Sequence, residues 1–407
     1  MEYTIFTKKD KGEARMESLL QRDQSKRVQR EKRKHKVTLA FTVTLCTIAA
    51  IALFAYIVNS IINKEYHSYK VMTSNERQDS NSVQYKSYQG MILKYSHDGA
   101  SGITPEGEIL WNGSYEMNNP VAGACGEYVI IGDVGGKEAY VYNGSNSGTL
   151  IEETLPITQV EIAKQGVAAL VVEDTDSNEI HIYNPFDSSN SLLFTIPTNV
   201  KEDGYPVDIS LSEDGKKLVT SFLGVNNGTM QNKVTFYNLG DVGKTKSNFI
   251  VGGVDMGQEL CPNVEFVNNE TVCIYGEKGF LLYSMQELPD KIYNETFDNS
   301  IKSVMSNDKY IGFILDNNTL LIYDLSGKKV LEEEIDYEYD EVYFSDRDII
   351  FTSDLSCRIM RFNGEVKWDY TFNKNIAYLL PTEEKNQYVI IDDVNIEQVK
   401  LSGERES

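Results

Sequence analysis

Apolar and polar positions divide the chain into stretches of very different pattern. Residues 37–63 (VTLAFTVTLCTIAAIALFAYIVNSIIN) carry no charge at all. The strongly apolar part, 37–58, would measure about 33 Å as a helix at ~1.5 Å per residue, enough for a hydrocarbon core of about 30 Å. One transmembrane helix is predicted over 37–62. The next stretch, 63–81, is polar and rich in Ser and Asn and reads as a tether. From residue 82 onward, β-branched and aromatic runs of four to seven residues alternate with Gly, Asn and Asp turns. Tyr128-Val-Ile-Ile131, Lys217-Leu-Val-Thr-Ser-Phe222 and Tyr388-Val-Ile-Ile391 are examples. No helical periodicity appears there, so residues 82–407 are predicted to be all-β.

Within that all-β region one unit recurs: an apolar strand ending on an aromatic or aliphatic residue, a turn, then a second strand. Anchored at the last strand position, the copies fall at Ile103, Tyr142, Tyr183, Tyr237, Tyr283, Tyr323, Met360 and Val399. Successive separations are 39, 41, 54, 46, 40, 37 and 39 residues. A period of about 40 residues with four strands in each is the pattern of a β-propeller blade. Eight blades are expected, with seven and an irregular closing unit as the alternative if the 54-residue interval holds an inserted loop. The eighth copy stops near Leu401, too early for an outer strand. Closure therefore needs a strand from the N-terminal side, near residues 66–73 or 82–88.

Charge changes the picture by adding direction. Residues 1–36 hold twelve Lys/Arg against six Asp/Glu, and residues 26–36 read KRVQREKRKHK. Only Lys64 and Lys70 follow closely after the apolar run. The positive-inside rule leaves a basic tail, 1–36, in the cytoplasm and exports the C-terminal domain. The run is too long for a cleaved signal peptide, and Val43-Thr44-Leu45 before Cys46 is a poor lipoprotein signal. An uncleaved signal anchor in the lipid bilayer of the cell membrane is expected. The remaining chain holds 27 basic and 55 acidic residues, a balance that excludes nucleic acid as a partner.

The segment Val207-Asp-Ile-Ser-Leu-Ser-Glu-Asp-Gly-Lys-Lys-Leu-Val219 resembles the inner hairpin of WD40-like and YVTN-like propellers. Glu106-Gly107-Glu108 before Leu110-Trp111, and Asn363-Gly364-Glu365 before Lys367-Trp368, resemble the outer hairpin of quinoprotein-like propellers. The whole layout is similar to a bacterial membrane-anchored family, domain-of-unknown-function family 5711. The residues that carry this resemblance are Tyr115-Glu-Met-Asn-Asn-Pro120, Glu202-Asp-Gly-Tyr-Pro-Val-Asp208, Val264-Glu-Phe266 and Leu325-Ser-Gly-Lys-Lys-Val330. The resemblance implies a propeller and transfers no catalytic residue.

Candidate chemistry is sparse. His67, His97 and His181 lie on no nucleophile or metal spacing, and His181 sits on a strand as a packed or surface residue. Glu173-Asp-Thr-Asp-Ser-Asn-Glu179 resembles a calcium loop but lacks its sixth-position Gly and reads as a hairpin turn. Cys261 and Cys273 could pair or stay as free buried thiols. The acidic run 332–341 could hold a cation but reads as a solubilising strand and loop. Asn-Gly at Asn112, Asn143 and Asn227 satisfies a glycosylation sequon and equally suits a tight hairpin. No catalytic, metal or cofactor site is expected. The long interval between Tyr183 and Tyr283 predicts extended loops near 201–205, 225–233 and 241–257. Lys201, Asp203, Tyr205, Asn226, Asn227 and Asp255 are the candidate partner-binding residues there. A binding or scaffold module for an envelope protein or an extracellular or wall ligand is expected. A quinoprotein-like dehydrogenase, a glycan lyase or a ligand sensor stands as the alternative.

Overall fold

The computed structural model describes residues 3–77, 79, 82–144 and 148–403, with the side chains of 3–14, 61 and 226 left aside. It has two compact units, Met1–Lys64 and Glu65–Ser407.

The first unit is a continuous helix, Tyr3–Ile62. It is long and apolar enough to cross a membrane. Thr38, Thr44 and Thr47 donate their hydroxyls to the carbonyls of Lys34, Ala40 and Val43 at 2.9, 2.8 and 2.6 Å. Those internal bonds give the three threonine hydroxyls a partner in an apolar surrounding.

In the second unit the described strands form eight four-stranded antiparallel sheets. They are the blades of a propeller, at residues 84–114, 120–152, 157–199, 205–257, 263–296, 301–334, 341–371 and 376–402. The anchor residues lie on the third strand of each blade, so the recurring hairpin is the outer half. Second strands such as Tyr128–Asp133 and Thr271–Tyr275 are buried almost throughout, because blades cover both of their faces. First strands of neighbouring blades approach one another around the centre, and that of blade 8 meets that of blade 1.

Blade 8 is completed by Ser68–Glu76, which pairs antiparallel with Asn395–Ser402 as its outermost strand. Of the two closing segments expected from sequence, the first is used. The second supplies the inner strand of blade 1, Gln84–Tyr88. Residues 68–76 thus correct the tether read over 63–81. Most of the strand's side chains are solvent-exposed, which explains a composition that mimics a linker. Residues 78, 80 and 81 of that stretch lie outside the described residues.

The closing strand is clamped at both ends. Near its start, Asn386 donates to Tyr66 Oη at 2.9 Å, and Tyr69 packs edge-on to Trp368 and Tyr370 at 5.8 and 5.3 Å. Just beyond its end, Arg77 donates to Asp79 at 2.6 Å and to the Asp392 carbonyl at 2.8 Å. Asp79 also pairs with Lys94 of blade 1 at 2.7 Å and accepts from Tyr85 Oη at 2.5 Å. One carboxylate therefore ties blade 1 to the segment that closes blade 8.

Side chains also bridge neighbouring inner strands to backbone. Gln159 donates to the Pro206 carbonyl at 2.9 Å. The Val264 and Phe266 amides donate to Asp208 and Ser210 at 2.8 and 2.9 Å. Asn307 donates to the Ser345 carbonyl at 3.0 Å, and Tyr343 to that of Leu379. Between blades 7 and 8, buried Lys367 meets Asp348 at 2.6 Å and Tyr388 Oη at 2.8 Å, while Tyr388 donates to Asp348 at 2.8 Å. Burial pulls the Lys367 ammonium below its ordinary range, with Asp348 opposing.

The outer-hairpin glycines have a direct cause. Gly107, Gly327 and Gly364 hold φ of 89°, 85° and 87°, and each turn lies against a neighbouring blade: on Asn75, Tyr293 and Glu333. Asn227-Gly228 is a tight hairpin with φ of 51° and 78°. Asn112-Gly113, by contrast, lies within the strand Ile109–Ser114, where a side chain on Gly113 would strike Tyr142. Asn143-Gly144 precedes residues 145–147, which lie outside the described residues.

Deleting 68–76 from the full chain should lower the melting temperature of the whole ring in one cooperative step; an unchanged temperature would refute the clasp. Lys367→Ala should cost about 3–5 kcal/mol in denaturant unfolding, since it strands a buried carboxylate.

Candidate functional site

The connections between strands emerge at two mouths of the central channel. One mouth carries the turns between second and third strands and the links from blade to blade. In those loops acidic residues outnumber basic ones by more than three to one, against less than two to one at the other mouth.

The candidate residues from sequence lie at the acidic mouth or on the outer strand beside it, over blades 3 and 4. Lys233 donates to Asp203 Oδ1 at 3.2 Å, and the Asn199 amide donates to Asp203 Oδ2 at 3.0 Å. Tyr205 Oη donates to Glu173 at 3.2 Å. Lys201 is exposed beside this group, its amide bonded to Asn199 Oδ1 at 2.9 Å. The structure thus brings Asp203, Tyr205, Lys233 and Glu173 to one junction between blades.

Two of the expected loops are corrected. Residues 225–233 are not a loop but the tip of a long hairpin, Lys217–Asn226 with Thr229–Asn238, paired out to Asn226 and Thr229. Asn227 occupies its turn, and Val225 next to it is 74% exposed. The second half of 241–257 is the outer strand Ile250–Gly257, on which Asp255 pairs in register with Lys233. What remains of the predicted loop is 241–249, with two short 3-10 turns. Part of the extra length of this repeat unit went into longer strands, and part into the connection 239–249.

Other sequence candidates find structural roles. His181 lies between Glu153 and Glu179 at 2.9 and 2.7 Å, which raises its basicity. Asp174-Thr175-Asp176 is a hairpin turn closed by the Asp174 amide on the Ser177 carbonyl at 2.9 Å. In the acidic run, Lys329–Glu334 is an outer strand, and the following tyrosines sit under cations. Lys302 lies 4.6 Å over the Tyr339 ring and Arg358 4.8 Å over Tyr337. Cys261 and Cys273 are free and buried, and burial pushes the Cys261 thiol up to about 12.

The channel wall holds chemistry that periodicity did not single out. Glu161, Asp208 and Glu265 stand on successive inner strands of blades 3, 4 and 5. Asp208 spends an oxygen on the Val264 amide, and burial still lifts it to about 6. Glu265 accepts from Ser306 Oγ at 2.6 Å and Tyr275 Oη at 2.7 Å. Glu161 has no hydrogen-bond partner among the described residues. Burial first, then the charge of Asp208, raises it to about 8, with Lys86 of blade 1 opposing. Sequence offered one weak signal: a lone charged residue in the inner strand Ile157–Ile162. On the other side of the ring, the inner strands of blades 7, 8 and 1 enclose a cavity of about 660 Å3 that opens between residues 89–90, 345–347 and 382–386.

The model of the family of unknown function DUF5711 matches residues 62–401, from the last turn of the helix to the closing pair of strands. The chain belongs to that family. No curated protein matches it. Several solved propellers share the fold of this DUF5711 chain at low identity. BamB from Moraxella catarrhalis is 11% identical with a TM-score of 0.52, over 84% of this chain and 100% of that one. Saccharomyces cerevisiae Sqt1 is 11% identical with a TM-score of 0.57, over 83% and 100%. Chaetomium thermophilum Sqt1, bound to the N-terminus of the ribosomal protein L10, is 13% identical with a TM-score of 0.53, over 82% and 100%. These likenesses speak for the fold alone.

A carboxyl held above its ordinary range makes the folded state bind a proton that the unfolded chain releases. Its stabilising contribution is complete below about 4.5 and disappears as pH rises through about 8. Glu161→Gln should therefore raise the melting temperature at pH 8.5 while changing it little at pH 4.5. Equal shifts at both pH values would overturn the assignment of Glu161 as the strained group.

Proposed function

We propose that this DUF5711 chain is a non-catalytic binding or scaffold module held at a membrane by residues 37–62. In this reading the basic tail, 1–36, is cytoplasmic and the propeller stands outside, where it holds an envelope protein or wall ligand. The observation that carries it is the acidic mouth. Its loops gather uncompensated carboxylates such as Asp174, Asp176 and Glu202 on a rigid ring, which favours a partner with a cationic surface. The complex of Chaetomium Sqt1 with the L10 N-terminus shows that a ring of this fold can seat a protein segment.

One observation favours an enzyme as the second reading: Glu161 is a raised carboxyl without a structural partner, as a general acid would be. The carboxylates near it are engaged, Asp208 by a backbone amide and Glu265 by two hydroxyls, which leaves no obvious base. Binding is the better supported of the two.

In-cell crosslinking with mass spectrometry on the full chain should recover a reproducible envelope partner. Asp174→Lys, Asp176→Lys and Glu202→Lys together should abolish that recovery while leaving the melting temperature within a few degrees. If no envelope protein is recovered, or the triple variant captures it equally well, the acidic-mouth reading fails.

A further inference from the structure

The cavity enclosed by blades 7, 8 and 1 is separate from the acidic mouth, and its volume of about 660 Å3 suits a small-molecule site. What its lining groups still have to offer decides which ligand fits. Tyr343 has committed its hydroxyl to the Leu379 carbonyl and presents ring surface. Tyr378 is half-buried with its ring set at 61° to that of Tyr85, 5.4 Å away, and its hydroxyl has no partner among the described residues. Gln84 accepts from Tyr95 Oη at 2.6 Å, which leaves its NH2 group for the cavity. The amide of Gln89, at the mouth, is likewise unpartnered among the described residues.

Charge narrows the choice. An anion entering this cavity meets Glu341, Glu383 and neighbouring carboxylates, and a cation meets Lys86 and Arg347. Carboxylates outnumber bases five to two, which disfavours an anion, but Asp348 is already paired with Lys367. The other acids stand at the two ends, Glu341 at one and Asp346, Glu383 and Glu384 at the other. The wall between them therefore faces a ligand with uncharged groups and Lys86. A purely apolar ligand would strip water from the Tyr378 hydroxyl and the two amides and return nothing for it. Aromatic faces beside neutral donors and acceptors match a molecule with an apolar ring face and hydroxyl edges.

We propose that this sector of the channel binds a short, uncharged oligosaccharide. One sugar ring lies on Tyr343 and Tyr378 with a hydroxyl on Tyr378 Oη, and hydroxyls of the further rings meet the amides of Gln84 and Gln89, which stand at opposite ends of one strand. The site goes beyond the protein-binding reading and does not depend on it. Sugar binding without partner capture, or capture without sugar binding, tells the two apart.

The test uses the full chain in lipid nanodiscs, with cellotriose, maltotriose and tri-N-acetylchitotriose as probes. The glucosamine trimer and the galacturonic acid trimer serve as charged counterparts. Titration calorimetry and saturation-transfer NMR should show at least one neutral trisaccharide binding with a dissociation constant below about 10 mM, more tightly than either charged trimer. Tyr378→Phe, which removes one hydroxyl, should weaken it about fivefold, the worth of one hydrogen bond, with an unchanged melting temperature. Should Tyr378→Phe fold poorly, Gln89→Leu at the exposed mouth provides the same readout. Absence of binding by all three neutral probes, tighter binding of a charged trimer, or full affinity in a well-folded variant would each overturn the proposal.

Discussion

The pairing of Ser68–Glu76 with Asn395–Ser402 joins segments 323 residues apart at Ser74 and Glu397, and the rest of the propeller depends on it. A blade whose second strand is buried on both sides is unstable by itself, because either face left open exposes its core to water. Each blade borrows cover from its neighbours, so stability is a property of the closed circle. Asp79 and Trp368 hold the two ends of the seam: one joins the clasp to blade 1, the other packs the start of the closing strand against blade 7.

That dependence also explains the chemistry at the centre. Neighbouring inner strands do not pair as a sheet, so their edges need other partners. Gln159, Asp208, Ser210 and Asn307 supply them with side chains, which makes part of the polar lining of the channel structural. Glu161, Tyr378 and Gln89 stand apart because the fold does not use their polar groups. Function is best sought where the architecture leaves chemistry unspent.

Much of the fold was legible in the sequence, because radial packing repeats one hairpin and so writes a period of about 40 residues into the chain. Tyr142, Tyr237 and Tyr323 mark third strands since a large ring there fills the space between blades. The closing strand was harder. Only its first residues reveal it, as Ser68 is buried while Val71, Ser74, Asn75 and Glu76 face water. Extra residues between Tyr183 and Tyr237 looked like loops because length alone does not distinguish a loop from a longer hairpin; the exposed Val225 at the tip shows the outcome. The candidate site was less legible still. Glu161 and Tyr378 lie on different strands more than two hundred residues apart, and only the curvature of the ring gives them a shared interior.

The seam also sets an order of events. During synthesis Ser68–Glu76 is among the first parts of the propeller to leave the ribosome, and its partner Asn395–Ser402 is the last. For the whole of that interval the early strand has unpaired edges, the kind of surface that invites wrong pairing. The polar outward side of the early strand, with Ser74, Asn75 and Glu76, keeps it soluble while it waits. A chain interrupted before residue 395 can build most of its blades and still not shut. Closure of the ring thereby reports that both of its ends are present, and an unpaired edge marks a ring that lacks either.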